Sequence, residues 1–167
     1  MGQTEGKIDI ELMEYLTFNM PDVNFVFVGR TRNKKSIRRV LKYPNIFFLG
    51  EKHYSVIPSY LSYFDVCLLP HKVDDFTNNM NPQKLYEYLS IGKPVVSTPV
   101  AGVEVFSKVM RIAGSKEEFL LGVRESLNDD PELINLHIET VKTHSWRNMT
   151  ESMLQQIVEA ISAKERS

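Results

Sequence analysis

An α/β domain with helices on both faces of a mainly parallel sheet is the fold class that this sequence predicts, on three observations. Five short apolar runs, at 25–28, 46–49, 66–69, 95–98 and 109–112, are continuous rather than alternating, the pattern of strands buried on both faces. Segments of helical character lie between them, so strands and helices alternate as parallel crossovers require. The chain has 167 residues, 43% apolar and 25% charged, which suits one globular domain with a core of its own.

Taken in order, a first helix is expected over 8–19, and the strand at 25–28 then ends in the loop Gly29, Arg30. A helix over 33–42 leads to the strand at 46–49 and the loop Gly50, Glu51, Lys52. A helix over 57–63 precedes the strand at 66–69, and a long polar segment, 71–80, follows it. Asn81 then reads as an N-cap, and Pro82 fits the first helical position, where a missing N–H costs nothing. Gly92 stands where a left-handed stop is wanted, giving a helix over 82–91 that feeds the strand at 95–98. After the strand at 109–112 come helices over 116–128, 131–142 and 146–163, the last capped by Ser145.

The helix at 82–91 carries the chemistry. Gln83, Lys84 and Leu85 present free amides at its start, and Lys84 adds positive charge where the dipole already favours an anion: a phosphate seat. Glu87 lies three residues on, roughly 4.5 Å along the axis, where a carboxylate can accept hydrogen bonds from a sugar diol. The plainer alternative is a surface ion pair worth at most about 0.5 kcal/mol. Arg30 can pair bidentately with a diphosphate, although Arg32, Lys34 and Lys35 equally form a solvated basic cluster. His71, Lys72, Thr77 and Asn79 lie in a polar loop long enough to be functional, and His71 has no partner in view that would make it a base. Gly102, in the segment 101–104, permits close backbone approach to a ligand or makes a routine turn.

Composition narrows the classes. A net charge of -1 gives no electrostatic case for nucleic acid as partner. The single cysteine, Cys67, sits inside an apolar run and reads as a buried side chain, in keeping with a reducing cytoplasm. No apolar segment approaches the length of a transmembrane helix, and the first seven residues do not form a signal peptide.

The run 81–96, NPQKLYEYLSIGKPVV, resembles the donor-binding half of GT-B glycosyltransferases, and in particular the GT4-like enzymes with an NPxKLYEYLxxGKPVV signature. The pieces at 25–29, 44–50 and 64–70, and His144-Ser145-Trp146 ahead of a last helix, fall in the same order and at similar spacing. The resemblance implies a Rossmann-like three-layer domain, the C-terminal half of a GT-B enzyme, covering residues 8–167 after linker residues 1–7. It implies that Lys84 and Glu87 are the catalytic pair, Glu87 being the second glutamate of an E-x7-E motif, which binds the ribose. The first glutamate falls on Asn79, which departs from the family and carries no charge. Lys72 and Thr77 match a basic residue and a threonine of the family's loop. Gly29 and Arg30 would lie near the donor, Lys52 and His53 in the loop that cradles the nucleobase through its backbone, and Gly102 and Glu104 in a second glycine loop near diphosphate or sugar. Asn81, Pro82, Gln83 and Leu85 frame the seat.

The function so implied is retaining hexosyl transfer from a UDP- or GDP-linked sugar to a glycan or lipid-linked acceptor, in polysaccharide biosynthesis. No metal or further cofactor is expected. The parent would be cytoplasmic, or peripheral at the inner face of the membrane. The family's acceptor-binding domain precedes this one, so the chain is expected to be a C-terminal piece, partnered by that absent domain and inactive alone. The alternative is a non-catalytic α/β module binding a nucleotide or protein. A dinucleotide-binding domain is disfavoured because no G-x-G-x-x-G follows a strand, and a P-loop is likewise missing.

Overall fold

The computed structural model describes residues 6–31, 34–130, 132–143 and 146–165. Helix α1 (Ile10–Asn19) starts when Asp9 Oδ1 accepts the Leu12 amide at 2.9 Å, a side-chain cap. It begins later than expected because Ile8 is spent in an antiparallel bridge with His71. Strand β1 (Phe25–Phe27) pairs in parallel with β2 (Ile46–Phe48), Val26 lying opposite Phe47. Between them α2 (Lys34–Ile37) is a single turn. Beyond it the Arg38 and Val40 amides reach back three residues, to Lys35 and Ile37, and Pro44 bars the helical conformation at Tyr43. Asn33, the expected start of that helix, lies outside the described residues.

A 3-10 turn (Tyr54–Val56) and α3 (Ile57–Ser62) lead to β3 (Cys67–Leu69), which pairs in parallel with β4 (Val95–Ser97). Helix α4 (Gln83–Ser90) connects them, ending at Gly92, whose φ of 70° is the left-handed stop expected there. Strand β5 is only Arg111–Ile112, paired with β4; Val109 and Met110 are buried in the turn before it rather than in the strand. Helix α5 (Lys116–Ser126) is capped by Ser115, and α6 (Glu132–Thr143) and α7 (Trp146–Glu165) close the chain. Ser145, the expected cap of α7, lies outside the described residues.

Two faces of one strand define the layers. Val96 is buried with α1 and α5 residues such as Met13, Leu16 and Phe119, whereas Val95 is buried with Leu85, Tyr88 and Leu89 of α4. Successive strand side chains point to opposite faces, so helices cover the sheet on both sides. Phe106 and Phe119, fully buried in the two halves of the core, each contribute about 1.5–3 kcal/mol by removal from water.

One expectation is corrected. A single sheet was anticipated, but the strands form two ladders, β1-β2 and β3-β4-β5, with no strand pairing between them among the described residues. Hydrogen bonds explain which edges are used. The Phe25 amide donates to Asn45 O (2.8 Å) and Phe27 O accepts from the Leu49 amide (2.9 Å), so β1 spends Phe25 and Phe27 on β2. Cys67 donates to Pro94 O (2.9 Å) and Leu69 O accepts from Thr98 (3.2 Å), so β3 spends Cys67 and Leu69 on β4. Nothing described joins the other edges of β1 and β3 to each other.

Candidate functional site

Because α4 is the crossover from β3 to β4, its amino end stands above the carboxyl ends of those strands, where open α/β sheets bind ligands. The helix opens differently from the expected pattern. Pro82, with ψ of 92°, is itself the cap residue, and no side chain caps the helix. Asn81 precedes it and points its amide Nδ2 at the Tyr86 hydroxyl, 3.3 Å away. Proline's fixed φ suits an extended cap residue as well as the first helical position, so the one-residue shift carries no backbone penalty. The Leu85 amide donates to Pro82 O at 2.9 Å, leaving those of Gln83 and Lys84 ahead of the first intrahelical bond. Of the three amides expected at the helix start, that of Leu85 is therefore already bonded within the first turn.

Lys84 and Glu87 are brought together: Nζ lies 2.9 and 2.8 Å from the two carboxylate oxygens. Both side chains are about one-third exposed or less, 32% and 27%, so the pair is better shielded from solvent than a surface pair.

The loops after β3 and β4 are knitted to this helix end. Thr77 is fully buried, its Oγ1 donating to Lys72 O (2.7 Å) and accepting the Asp74 amide (2.9 Å). Its carbonyl takes the Ala101 amide at 3.3 Å. Thr77 thus organises the loop rather than facing a ligand, and holds Lys72 and the loop after β4 in place. Gly102, at φ of 83°, packs so closely that a Cβ there would stand 3.3 Å from Pro82 Cδ and 3.4 Å from Asn81 Oδ1. Only glycine takes that conformation and that contact without strain. Glu104, itself exposed, opens a 3-10 turn (Glu104–Phe106) just beyond, and Asn79 is exposed, its Nδ2 donating to Asp75 O at 2.7 Å.

A second group sits at the ends of β1 and β2. The Gly29 amide donates to Gly50 O (2.9 Å), and Arg30 places Nε and Nη2 2.9 and 2.6 Å from Glu51 Oε2. Arg30 is therefore engaged by a carboxylate that sequence reading did not pair with it. Lys52 Nζ lies 5.9 Å from the centre of the Tyr60 ring, and His53 Nδ1 caps the following turn through Ser55. Among the described residues no hydrogen bond or ion pair joins this group to Lys84 or Glu87. The side chains of Arg32 and Lys34 lie outside the described residues.

Electrostatics sort the remaining candidates. Burial pushes the Cys67 thiol up to about 12, so it carries no thiolate near neutral pH. Burial pushes His71 down to about 4, leaving a neutral imidazole whose buried Nδ1 has no hydrogen-bond partner among the described residues. The Asp74 carboxyl is held below its ordinary value, chiefly by the Thr77 amide. No cluster of three His, Cys, Asp or Glu positioned for a metal occurs among the described residues, and no described helix is long and apolar enough to cross a membrane.

A parallel three-layer domain with helices on both faces and a Lys–Glu pair at a helix start above its strands has the architecture of a Rossmann-like unit. The sequence profile of the family described as Glycosyl transferases group 1 matches residues 10–129, and the chain belongs to that family. It is 28% identical over 110 residues to TuaH of Bacillus subtilis (strain 168), provisionally named a teichuronic acid biosynthesis glycosyltransferase, covering 65% of this chain and 28% of that protein. Its fold is that of solved GT-B glycosyltransferases. Sucrose-phosphate synthase from Thermosynechococcus elongatus overlies it with a TM-score of 0.70 at 18% identity, over 97% of this chain and 45% of that one. HepE of Anabaena, solved with UDP, overlies it at 0.67 and 17% identity, over 97% and 48%. The same protein, solved with UDP-glucose, matches at 0.64. The chain thus spans less than half the length of each of these proteins.

Proposed function

We propose that residues 8–167 are the nucleotide-sugar-binding, C-terminal domain of a retaining, GT4-like hexosyltransferase, with 1–7 a linker to an acceptor-binding domain. The observation that carries this reading is the amino end of α4: two outward amides, Lys84 and Glu87 at one spot, and the Gly102 loop pressed against Asn81 and Pro82. The fold family and the nucleotide-bound structures that share the fold support it.

In this reading the diphosphate of the donor sits over the Gln83 and Lys84 amides. As the glycosidic bond breaks, negative charge grows on the leaving diphosphate, and the helix dipole with Lys84 meets it without reorganisation. Glu87 accepts the ribose hydroxyls. The Lys84–Glu87 clasp keeps both groups at the site before a donor arrives. Gly102 lets the backbone after β4 come close to diphosphate or sugar, with Glu104 at its rim. Arg30, tied to Glu51, shapes the wall formed by the loops after β1 and β2, where Lys52 and His53 flank the nucleobase. Lys72 and Asn79 lie at the outer edge. The donor is UDP- or GDP-linked, the acceptor a glycan or lipid-linked sugar, and the setting cytoplasmic polysaccharide biosynthesis, free or at the inner face of the membrane.

Calorimetric titration with UDP, GDP, ADP and their glucose and mannose derivatives tests the proposal. Saturable binding of one nucleoside diphosphate series is expected. Absence of binding by every nucleotide, alongside binding of a peptide or protein partner, would favour a regulatory module instead.

A further inference from the structure

The charge of this chain is unevenly spread. Its net charge is -1, yet the stretch 23–50 holds seven Lys and Arg residues, all between Arg30 and Lys42, and no acidic residue. The proposed function uses only Arg30 of these. A concentration of one sign in a near-neutral chain marks a surface for a partner of the other sign.

The structure sets apolar side chains among these cations. Residues 11, 14 and 18 share one face of α1, three and four residues apart, and that face adjoins the segment 39–43. Arg39 pairs with Glu11 (3.0 Å) and Glu14 (2.6 Å), and Lys42 with Glu14 (2.9 Å). The Phe18 ring meets the Tyr43 ring edge-on, their centres 6.4 Å apart, and Lys42 Nζ lies 5.1 Å from the centre of the Tyr43 ring. Phe18 is nevertheless 68% exposed and Leu41 49%. A single exposed apolar side chain needs no explanation, but a phenylalanine and a leucine beside a line of cations make a mixed surface. The surface is also held in place. Asn45, buried behind it, donates its Nδ2 to Thr17 O, Met20 O and Val23 O at 3.1, 3.0 and 3.1 Å, tying the end of α1 to the turn that carries Tyr43.

Charge decides the partner's sign. Glu11 and Glu14 offset two of the four cations Lys35, Arg38, Arg39 and Lys42, and Arg38, exposed, meets no carboxylate among the described residues. The face therefore stays positive even before Arg32 and Lys34 are counted. Its apolar members decide between a bilayer and a nucleic acid. Aromatic rings and basic side chains share the headgroup layer of a membrane, and a leucine gains from acyl chains what a phosphate backbone does not offer. The exposed apolar residues of α7, such as Leu154 and Ile157, lack this electrostatic support: that helix carries Arg147 and Lys164 against Glu151, Glu159 and Glu165.

We infer that this face, with Phe18, Leu41 and Tyr43 set among Arg38, Arg39 and Lys42, docks the domain on an anionic lipid bilayer. The rings lie at headgroup depth and the cations among the lipid phosphates. The inference rests on this surface and not on the transferase reading, and it gives the membrane setting proposed above a definite contact.

Co-sedimentation of residues 1–167 with vesicles tests it, comparing phosphatidylglycerol mixed equally with phosphatidylcholine against phosphatidylcholine alone. Binding is expected to be at least about tenfold stronger to the anionic vesicles and to weaken as salt is added. Arg38→Glu and Phe18→Ser should each weaken it by about tenfold, with melting temperature and nucleotide affinity as in wild type. Leu41→Ser repeats the apolar test should Phe18→Ser melt early. Ile157→Ser on α7 should leave vesicle binding unchanged. Equal binding to both vesicle types, binding to neither, or loss of binding with Ile157→Ser but not with Phe18→Ser overturns the inference. So does tighter binding to a DNA duplex than to anionic vesicles, indifferent to Phe18→Ser. Nucleotide titration separates this from the functional proposal: a chain that docks through this face but binds no nucleotide sinks the transferase reading alone, and the converse sinks the docking face alone.

Discussion

Lys84 and Glu87 form a clasp, the ammonium of one bonded to both carboxylate oxygens of the other at 2.9 and 2.8 Å, on the first turns of α4. A second pair at the same spacing, Lys142 with Glu139 on α6, provides the contrast. That pair is 64% and 67% exposed, against 32% and 27% for the clasp. Equal sequence spacing thus hides unequal solvation, and only the shielded pair sits at a helix start.

Removing the carboxylate should therefore cost binding rather than stability. Glu87→Ala is expected to lose about 1.5–3 kcal/mol of nucleoside diphosphate affinity, the value of a hydrogen bond to a charged group, with Lys84→Ala comparable. Glu139→Ala should leave affinity unchanged. Calorimetry decides it, and identical affinity for wild type and Glu87→Ala would show that the ribose contact lies elsewhere.

Gly102→Ala should strain the site from behind. At φ of 83° an L side chain is disfavoured, and the new methyl would press on Pro82 and Asn81. A loss of about 1–2 kcal/mol in urea unfolding is expected from the backbone conformation, together with weaker nucleotide binding as the start of α4 shifts. Full retention of both would mean that the 101–104 loop relaxes freely.

His71 predicts a pH dependence. Burial lowers its pKa from 6.5 to about 4, so between those values the unfolded chain binds a proton that the folded chain refuses. Stability should fall as pH drops from about 6.5 to 4 and gain no further penalty from this group below that. Thermal melts from pH 4 to 7 should show a shallower slope for His71→Asn than for wild type. Some slope will remain because burial also lowers His137. Parallel curves would place His71 in contact with solvent.

Residues 1–167 alone should bind donor without transferring sugar. In the proposed architecture the acceptor, the group that assists its attack and the closure that excludes water come from the other half, and one wall of a cleft cannot hold both reactants at reacting distance. Radiolabelled donor with candidate acceptors should show at most slow hydrolysis by this chain and acceptor-dependent release of nucleoside diphosphate by the longer protein. Comparable turnover by both would overturn the division of labour.

The three-layer α/β class, the succession of the five strands along the chain and the start and stop of α4 were legible in the sequence. Continuous apolar runs, a proline ahead of a helix and a glycine behind it are local signals that act through neighbouring residues. The details that missed share a cause. Asn81 reads as a cap and Arg30 as a free cation when each is judged by its neighbours in sequence. Asn81 turns instead to the Tyr86 hydroxyl and Arg30 to Glu51, 21 residues away. Thr77 reads as one member of a polar loop and is a buried organiser of that loop. The contact of Gly102 with Pro82 depends on two loops meeting above the sheet, which no local pattern encodes.

What the sequence determined by itself was therefore the alternation of strands and helices and the chemistry offered at the start of α4, because backbone preference and charge at a helix end are set within a turn or two. What only the tertiary structure decided was which edges pair and which cations are already neutralised. Those outcomes depend on which distant backbone and side-chain groups share a hydrogen bond, and that is settled by packing the layers together.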